Sequence, residues 1–214
     1  RHNINRQQTR VRLFETGLRF MPGESLAQTP MLGLLLCGRR MPEGWSSDAA
    51  SVDFYDMKGE IEALLQAADQ RLTFCSAVRP GLHDGQTAEI LLGDEVVGVM
   101  GRLHPSAAKT MNLPEQTLVA ELALASVVGR ALPDYQDISK FPEVRRDIAV
   151  IVNRETPSAS VLDTARTSAG AALADARIFD VYEGDGVAEN AKSLAIGLTF
   201  RDQSRTLTLS LIHI

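Results

Sequence analysis

Apolar and charged residues alternate from Arg10 to Phe20, RVRLFETGLRF, with Val11 and Leu13 leading the apolar set, and this predicts a half-buried strand. After a loop carrying Pro22, Gly23 and Pro30, the run MLGLLLCG (Met31 to Gly38) is almost continuously apolar, as a central strand covered on both faces would be. Gly44 to Ser51 reads as a turn or loop, with Trp45 packed over the sheet. Asp53 to Ala68 is the clearest helix. Asp53 can cap it, and Met57, Ile61, Leu64 and Leu65 recur at helical spacing. Leu72 to Val78, Ala88 to Leu92 and Val96 to Leu103 follow as strands, the last two joined by a tight turn at Gly93-Asp94-Glu95. A short helix from Pro105 to Met111 and a strand from Thr117 to Leu124 complete this half.

Between Gly129 and Pro142 the periodicity lapses. Beyond it, FPEVRRDIAVIV supplies a strand at Asp147 to Val152, Pro157 to Ala171 a helix, and Arg177 to Tyr182 and Leu194 to Arg201 two more strands, with Gly184-Asp185-Gly186 between them. Strand, helix, strand, strand is the first two-thirds of a ferredoxin-like unit. The pattern therefore predicts two domains, 1–128 and 141–214, with a linker at 129–140.

Composition narrows the possibilities without choosing among them. The chain has 214 residues, 44% hydrophobic and 23% charged, which is ordinary for a globular protein. Its net charge of −5 carries no basic-domain signature, so any contact with nucleic acid must be a local patch. Cys37 and Cys75 lack metal-ligand spacing and read as small buried hydrophobes in a reducing compartment. No apolar run reaches the roughly 20 residues of a membrane span. The opening RHNINRQQTRV, without Met, reads as the interior of a longer polypeptide from the cytoplasm.

Several ordered motifs together resemble the bacterial phenylalanyl-tRNA synthetase beta subunit family. They are NRQQTRVRLFETGLRF (Asn5 to Phe20), VDFYDMKGEIEALL (Val52 to Leu65), LHDGQTAEI (Leu82 to Ile90), GVMGRLHP (Gly98 to Pro105), FPEVRRDIAVIV, IFDVYEGDGV and KSLAIGLTFRDQSRTLT. The resemblance implies an α+β architecture: an antiparallel-sheet class II synthetase-like module, then a ferredoxin-fold anticodon-binding domain. The family's His-Pro-Gly-Gln turn reads His83-Asp84-Gly85-Gln86 here and loses proline's fixed φ. The family continues with a further helix and strand, whereas this chain ends LSLIHI, so the second domain is expected to be truncated to βαββ with a non-native tail at 209–214.

The resemblance also implies a non-catalytic role. The chain itself is expected to hold no catalytic residue, metal or cofactor, while the holoenzyme uses ATP and Mg²⁺. Glu15, near Arg12 and Arg19, is expected to be structural, and His83 and His104 to cap turns. The implied partners are tRNA(Phe) and the catalytic alpha subunit, in a heterotetramer, with no membrane. Arg145, Arg146, Lys192, Arg201 and Arg205 are the candidates for phosphate contacts and Tyr182 for base stacking. Phe179, three residues before Tyr182, should face the opposite way and sit in the core unless a bulge intervenes; Arg145 and Arg146 should point to opposite faces. The competing reading is a protein-interaction or regulatory module on a synthetase-like scaffold, which would have no need of arginines gathered on one rim.

Overall fold

The computed structural model describes residues 2–23, 26–65, 72–128, 139–202 and 204–207. They form two compact units that divide between residues 134 and 135. The elements of the first are α1 (His2–Asn5), β1 (Arg10–Met21), β2 (Ala27–Gly38), α2 (Phe54–Leu65), β3 (Leu72–Ser76), β4 (Leu82–Leu92), β5 (Glu95–Leu103), α3 (Pro105–Met111), β6 (Leu118–Ala123) and α4 (Leu124–Val128). The second holds β7 (Val144–Asn153), α5 (Ser158–Ala169), a 3₁₀ turn (Gly170–Ala172), β8 (Leu173–Tyr182) and β9 (Ala191–Phe200).

The first unit is a six-stranded antiparallel sheet in the order β1-β2-β6-β5-β4-β3. Leu118, Ala120 and Leu122 of β6 alternate inward with Leu32 and Leu36 of β2 and with Ala88, Ile90 and Met100, and on this face α2 lays Met57, Ile61 and Leu65. The helix starts where the sequence predicts. Asp53 Oδ1 accepts from the backbone N–H of Tyr55 and Asp56, while Asp56 Oδ2 accepts from the Asp53 N–H, a reciprocal cap. Arg40 then binds both carboxylates, Nη2 to Asp53 at 2.5 Å and Nε to Asp56 at 3.0 Å, tying the end of β2 to the start of α2. Asp53→Ala removes the cap and half of that clamp, and should lower stability by about 1–2 kcal/mol, read as a drop in the urea midpoint.

Several expectations are corrected here. Beyond Val11, β1 is exposed along most of its length, with Leu13 and Phe14 both open, because it is the edge of the sheet. Leu64 is also exposed: the buried stripe of α2 repeats strictly every four residues. Pro30 belongs to β2 opposite Leu18, at a position where β6 has not yet joined, so its missing N–H costs nothing. Trp45 packs on nothing and is fully exposed. Cys37 is buried, and burial pushes its thiol pKa up, but Cys75 lies exposed on edge strand β3. The Asp53–Ala68 helix ends at Leu65 among the described residues, and 66–68 lie outside them.

The second unit is a three-stranded antiparallel sheet in the order β7-β9-β8, reached by strand, helix, strand, strand as the sequence predicts. Leu194, Ile196, Leu198 and Phe200 alternate from β9 onto one face and meet Val161, Leu162, Ala165 and Ala169 of α5. Most of the 129–140 linker and the whole 209–214 tail lie outside the described residues.

Candidate nucleic-acid interface

Register decides which side chains share a face of the second sheet. Arg146, Ile148 and Val150 pair with Leu198, Ile196 and Leu194, so they belong to the α5 side, whereas Arg145, Asp147 and Ile151 point to the other, exposed side. Arg145 and Arg146 do therefore face opposite ways, as alternation requires.

β8 breaks the alternation. Ile178 pairs with Ile196 but Asp180 pairs with Ala195, leaving Phe179 as an extra residue in a β-bulge. Ile178 faces inward, so Phe179 faces out, and the bulge brings Tyr182, paired with Ser193, to the same open side. Its ring is half exposed and the Arg145 guanidinium lies over it, 5.6 Å from the centroid. Gly197 makes this crossing possible: it sits on β9 between the two, and a Cβ there would come within 3.2 Å of Arg145 Nη2 and 3.3 Å of Asp147 Oδ1. Arg145 is also held by Asp147, Nε to Oδ1 at 2.9 Å. Phe179, expected in the core, is thus the central aromatic of the open face.

The six candidates divide between the two ends of the sheet. Arg145 and Arg146 open β7, and Arg201 joins them through an ion pair with Glu143 while its N–H bonds the Ala172 carbonyl. Arg205 lies just beyond, 3.2 Å from Asp202. The Asp202 carboxyl is lowered to about 2 by the backbone N–H and hydroxyl of Ser204 and then by Arg205, so it stays ionised and keeps Arg205 occupied at neutral pH. Among the described residues Arg146 has no carboxylate partner, and its Nη1 donates only to the Arg145 carbonyl. Tyr182 and Lys192 lie at the opposite end, paired with Ser193 and Val152. Val152 is seven positions along β7 from Arg145, roughly 23 Å at strand rise. The Tyr182 hydroxyl donates to the Asp185 carbonyl at 3.2 Å and its ring folds over Gly184. Lys192 shares the α5 side with Leu194.

In the first unit several arginines are already held by other residues. Arg12 turns to Glu60 and the Arg40 carbonyl, Arg19 pairs with Glu121 at 3.1 Å, and Arg79 holds Glu89. Glu15 is exposed on β1 opposite Gly33, and its side chain makes no hydrogen bond or ion pair among the described residues. No three His, Cys, Asp or Glu side chains among the described residues gather as a metal ion requires. His104 caps α3, its Nδ1 accepting from the Ser106 N–H, and His83 Nδ1 accepts from the Gly85 N–H. No helix of the described residues is long and apolar enough to cross a membrane.

Residues 1–124 match the family described as phenylalanyl tRNA synthetase beta chain CLM domain, and residues 139–213 match the ferredoxin-fold anticodon binding domain. The chain is 47% identical over 209 residues to the phenylalanine–tRNA ligase beta subunit of Pseudomonas syringae pv. tomato, covering 96% of this chain and 26% of that protein. It is 46% identical over 207 residues to the beta subunit of Hahella chejuensis, with the same coverage, and 43% identical over 212 residues to that of Pasteurella multocida, of which it covers 27%. The chain spans about a quarter of the length of the relatives it matches. With more than half its residues in the first match and a ferredoxin-fold unit in the second, the chain belongs to the phenylalanyl-tRNA synthetase beta chain family.

Proposed function

We propose that this chain works within a phenylalanine–tRNA ligase beta subunit, holding the anticodon stem-loop of tRNA(Phe) on the second unit and packing the first against the catalytic alpha subunit. In this reading the six-stranded sheet is a class II synthetase-like module without its own chemistry, and 129–140 is the linker. ATP and Mg²⁺ serve the holoenzyme, a cytoplasmic heterotetramer, at a site outside these residues. What this chain contributes is orientation: a tRNA gripped at a distance from the reacting ends loses its freedom before chemistry begins. The regulatory alternative has no observation in its favour.

One observation carries the RNA assignment: an exposed aromatic ring, Phe179, stacked under the arginine of an open sheet face. Single-stranded bases bind such surfaces by stacking on rings and guanidinium planes, with arginines at the rim for phosphate. The open face carries Asp147, Asp175 and Asp180 beside Arg145 and Arg177, so stacking should outweigh charge. The exposed edge strand β1, with Phe14 and Phe20 open to solvent, supports the packing role.

The test is tRNA binding by the full-length subunit with its alpha partner across a salt series. Phe179→Ala should weaken binding by about 1–3 kcal/mol with the salt slope unchanged, while Arg146→Ala should lower the slope by about 1. Arg205→Ala should do less, since Asp202 already holds that guanidinium. If affinity and slope are unchanged in all three, the open face and its rim do not hold the RNA.

A further inference from the structure

The tRNA reading leaves a cavity in the first unit unused. It opens where α2 overhangs β3 and β4 and has a volume of about 600 Å³, within the range of small-molecule sites. Its floor is Phe74 of β3, on the side of the sheet that α2 covers. Phe54 and Lys58, one helical turn apart on α2, form a wall, and Ser76, Gln86 and Gln116 complete the lining. The cap at Asp53 fixes the position of that wall, since it sets where α2 begins.

The side chains in this cavity specify a ligand class. The Lys58 ammonium stands 5.2 Å above the Phe74 ring centroid and 3.2 Å from Glu62 on its solvent side, about one-third exposed. Among the described residues it is the single cation of the lining, and the single carboxylate among them, Asp53, is already committed to two backbone N–H groups and Arg40. Ser76, Gln86 and Gln116 make no side-chain hydrogen bond among the described residues, so their donors and acceptors are open to a ligand. A phosphate dianion would need several cations or a cradle of free backbone N–H groups. Here there is one lysine, and Asp53 already occupies the N–H groups of Tyr55 and Asp56. Glu62 answers Lys58 from one side, and a neutral ligand would bring no charge to its remaining N–H groups. A monoanion with a flat apolar body satisfies both the ammonium and the aromatic floor.

We propose that this cavity binds a small planar carboxylate, with the carboxylate at Lys58 and the flat body against Phe74. The proposal is independent of the RNA assignment, which concerns the other unit.

Phenylacetate is the probe, with neutral phenylacetamide for comparison. Saturation-transfer NMR is run on the full-length subunit assembled with its alpha partner, with L-phenylalanine and ATP in excess to keep the catalytic site filled. Saturation should reach the phenylacetate ring protons, and phenylacetamide should bind roughly tenfold more weakly, as loss of one charge-assisted hydrogen bond implies. Lys58→Met, which keeps the stem over Phe74, should cause a similar loss while leaving aminoacylation unchanged, and Phe74→Leu should weaken both probes. Equal transfer in wild type and Lys58→Met overturns the proposal. So does no transfer in wild type, as would follow if another part of the longer chain fills the cavity.

Discussion

Replacing Gly98 by valine is expected to unfold the first sheet. Gly98 lies in β5, an interior strand, paired with Leu122 on one side and Ile90 on the other. A Cβ at this position would stand 2.5 Å from the Glu121 carbonyl oxygen and 3.1 Å from the Leu122 Cα. Both are backbone atoms of β6, fixed by their own ladder, so the strand cannot yield without breaking pairing on both sides. The β-propensity that valine brings is worth at most about 1 kcal/mol, whereas overpacking against backbone costs about 3 kcal/mol or more. Against a total stability of about 5–15 kcal/mol, that is enough to shift the sheet toward the unfolded state. Gly17→Val is the matched control. Gly17 sits on edge strand β1 and a Cβ there meets nothing within 4 Å, so the change should be neutral or slightly favourable. Amide exchange in β5 and β6 of the full-length subunit separates the two: rapid exchange in Gly98→Val only is the expected result, and matching behaviour would refute the packing argument.

The second large effect is expected from Ile196→Ala. Ile196 is fully buried at the middle of β9, flanked across the ladders by Ile148 and Ile178 and covered by α5. Deleting this side chain should cost about 2–5 kcal/mol, the range for a buried aliphatic that leaves a cavity. Among the described residues the buried core of this unit is Ala176, Leu194, Ile196, Leu198 and Phe200, so one loss is a large fraction of it. Exchange protection in β7–β9 should collapse and tRNA binding should fall with it, while β5 and β6 stay protected. Ile151→Ala, at a position 65% exposed, should change stability by no more than about 0.5 kcal/mol. If both substitutions act alike, the assignment of the two faces is wrong.

What the sequence could and could not disclose follows from which interactions are local. α2 was legible because its cap and its stripe are set within the helix: Asp53 bonds two and three residues ahead, and Met57, Ile61 and Leu65 repeat every four. The hairpin at Gly93-Asp94 was legible too, since Gly93 takes φ +63°, the conformation a two-residue hairpin turn asks of its first position. Edge position is a property of the assembled sheet, and so the alternation in β1 predicted a buried face that no neighbour supplies. Cys75 failed for the same reason on the opposite edge.

At the candidate interface, strict alternation correctly separated Arg145 from Arg146 but set Phe179 opposite Tyr182 and so inward. One extra residue in β8 puts both on the open side, and nothing in IFDVYEGDGV marks where pairing slips. The gathering of Arg201 with Arg145 and Arg146 likewise depends on Glu143 and on how β9 ends against Ala172, contacts between segments far apart in the chain.

Trp45, standing free of the protein on its loop, has a spectroscopic consequence. It is the single tryptophan of the chain and already as hydrated as in an extended peptide. Its emission should match that of the free indole in water, and unfolding this chain should barely shift it. Fluorescence melts of these 214 residues would therefore understate the transition, while a blue shift or loss of quenching by acrylamide would report a neighbour settling on that loop.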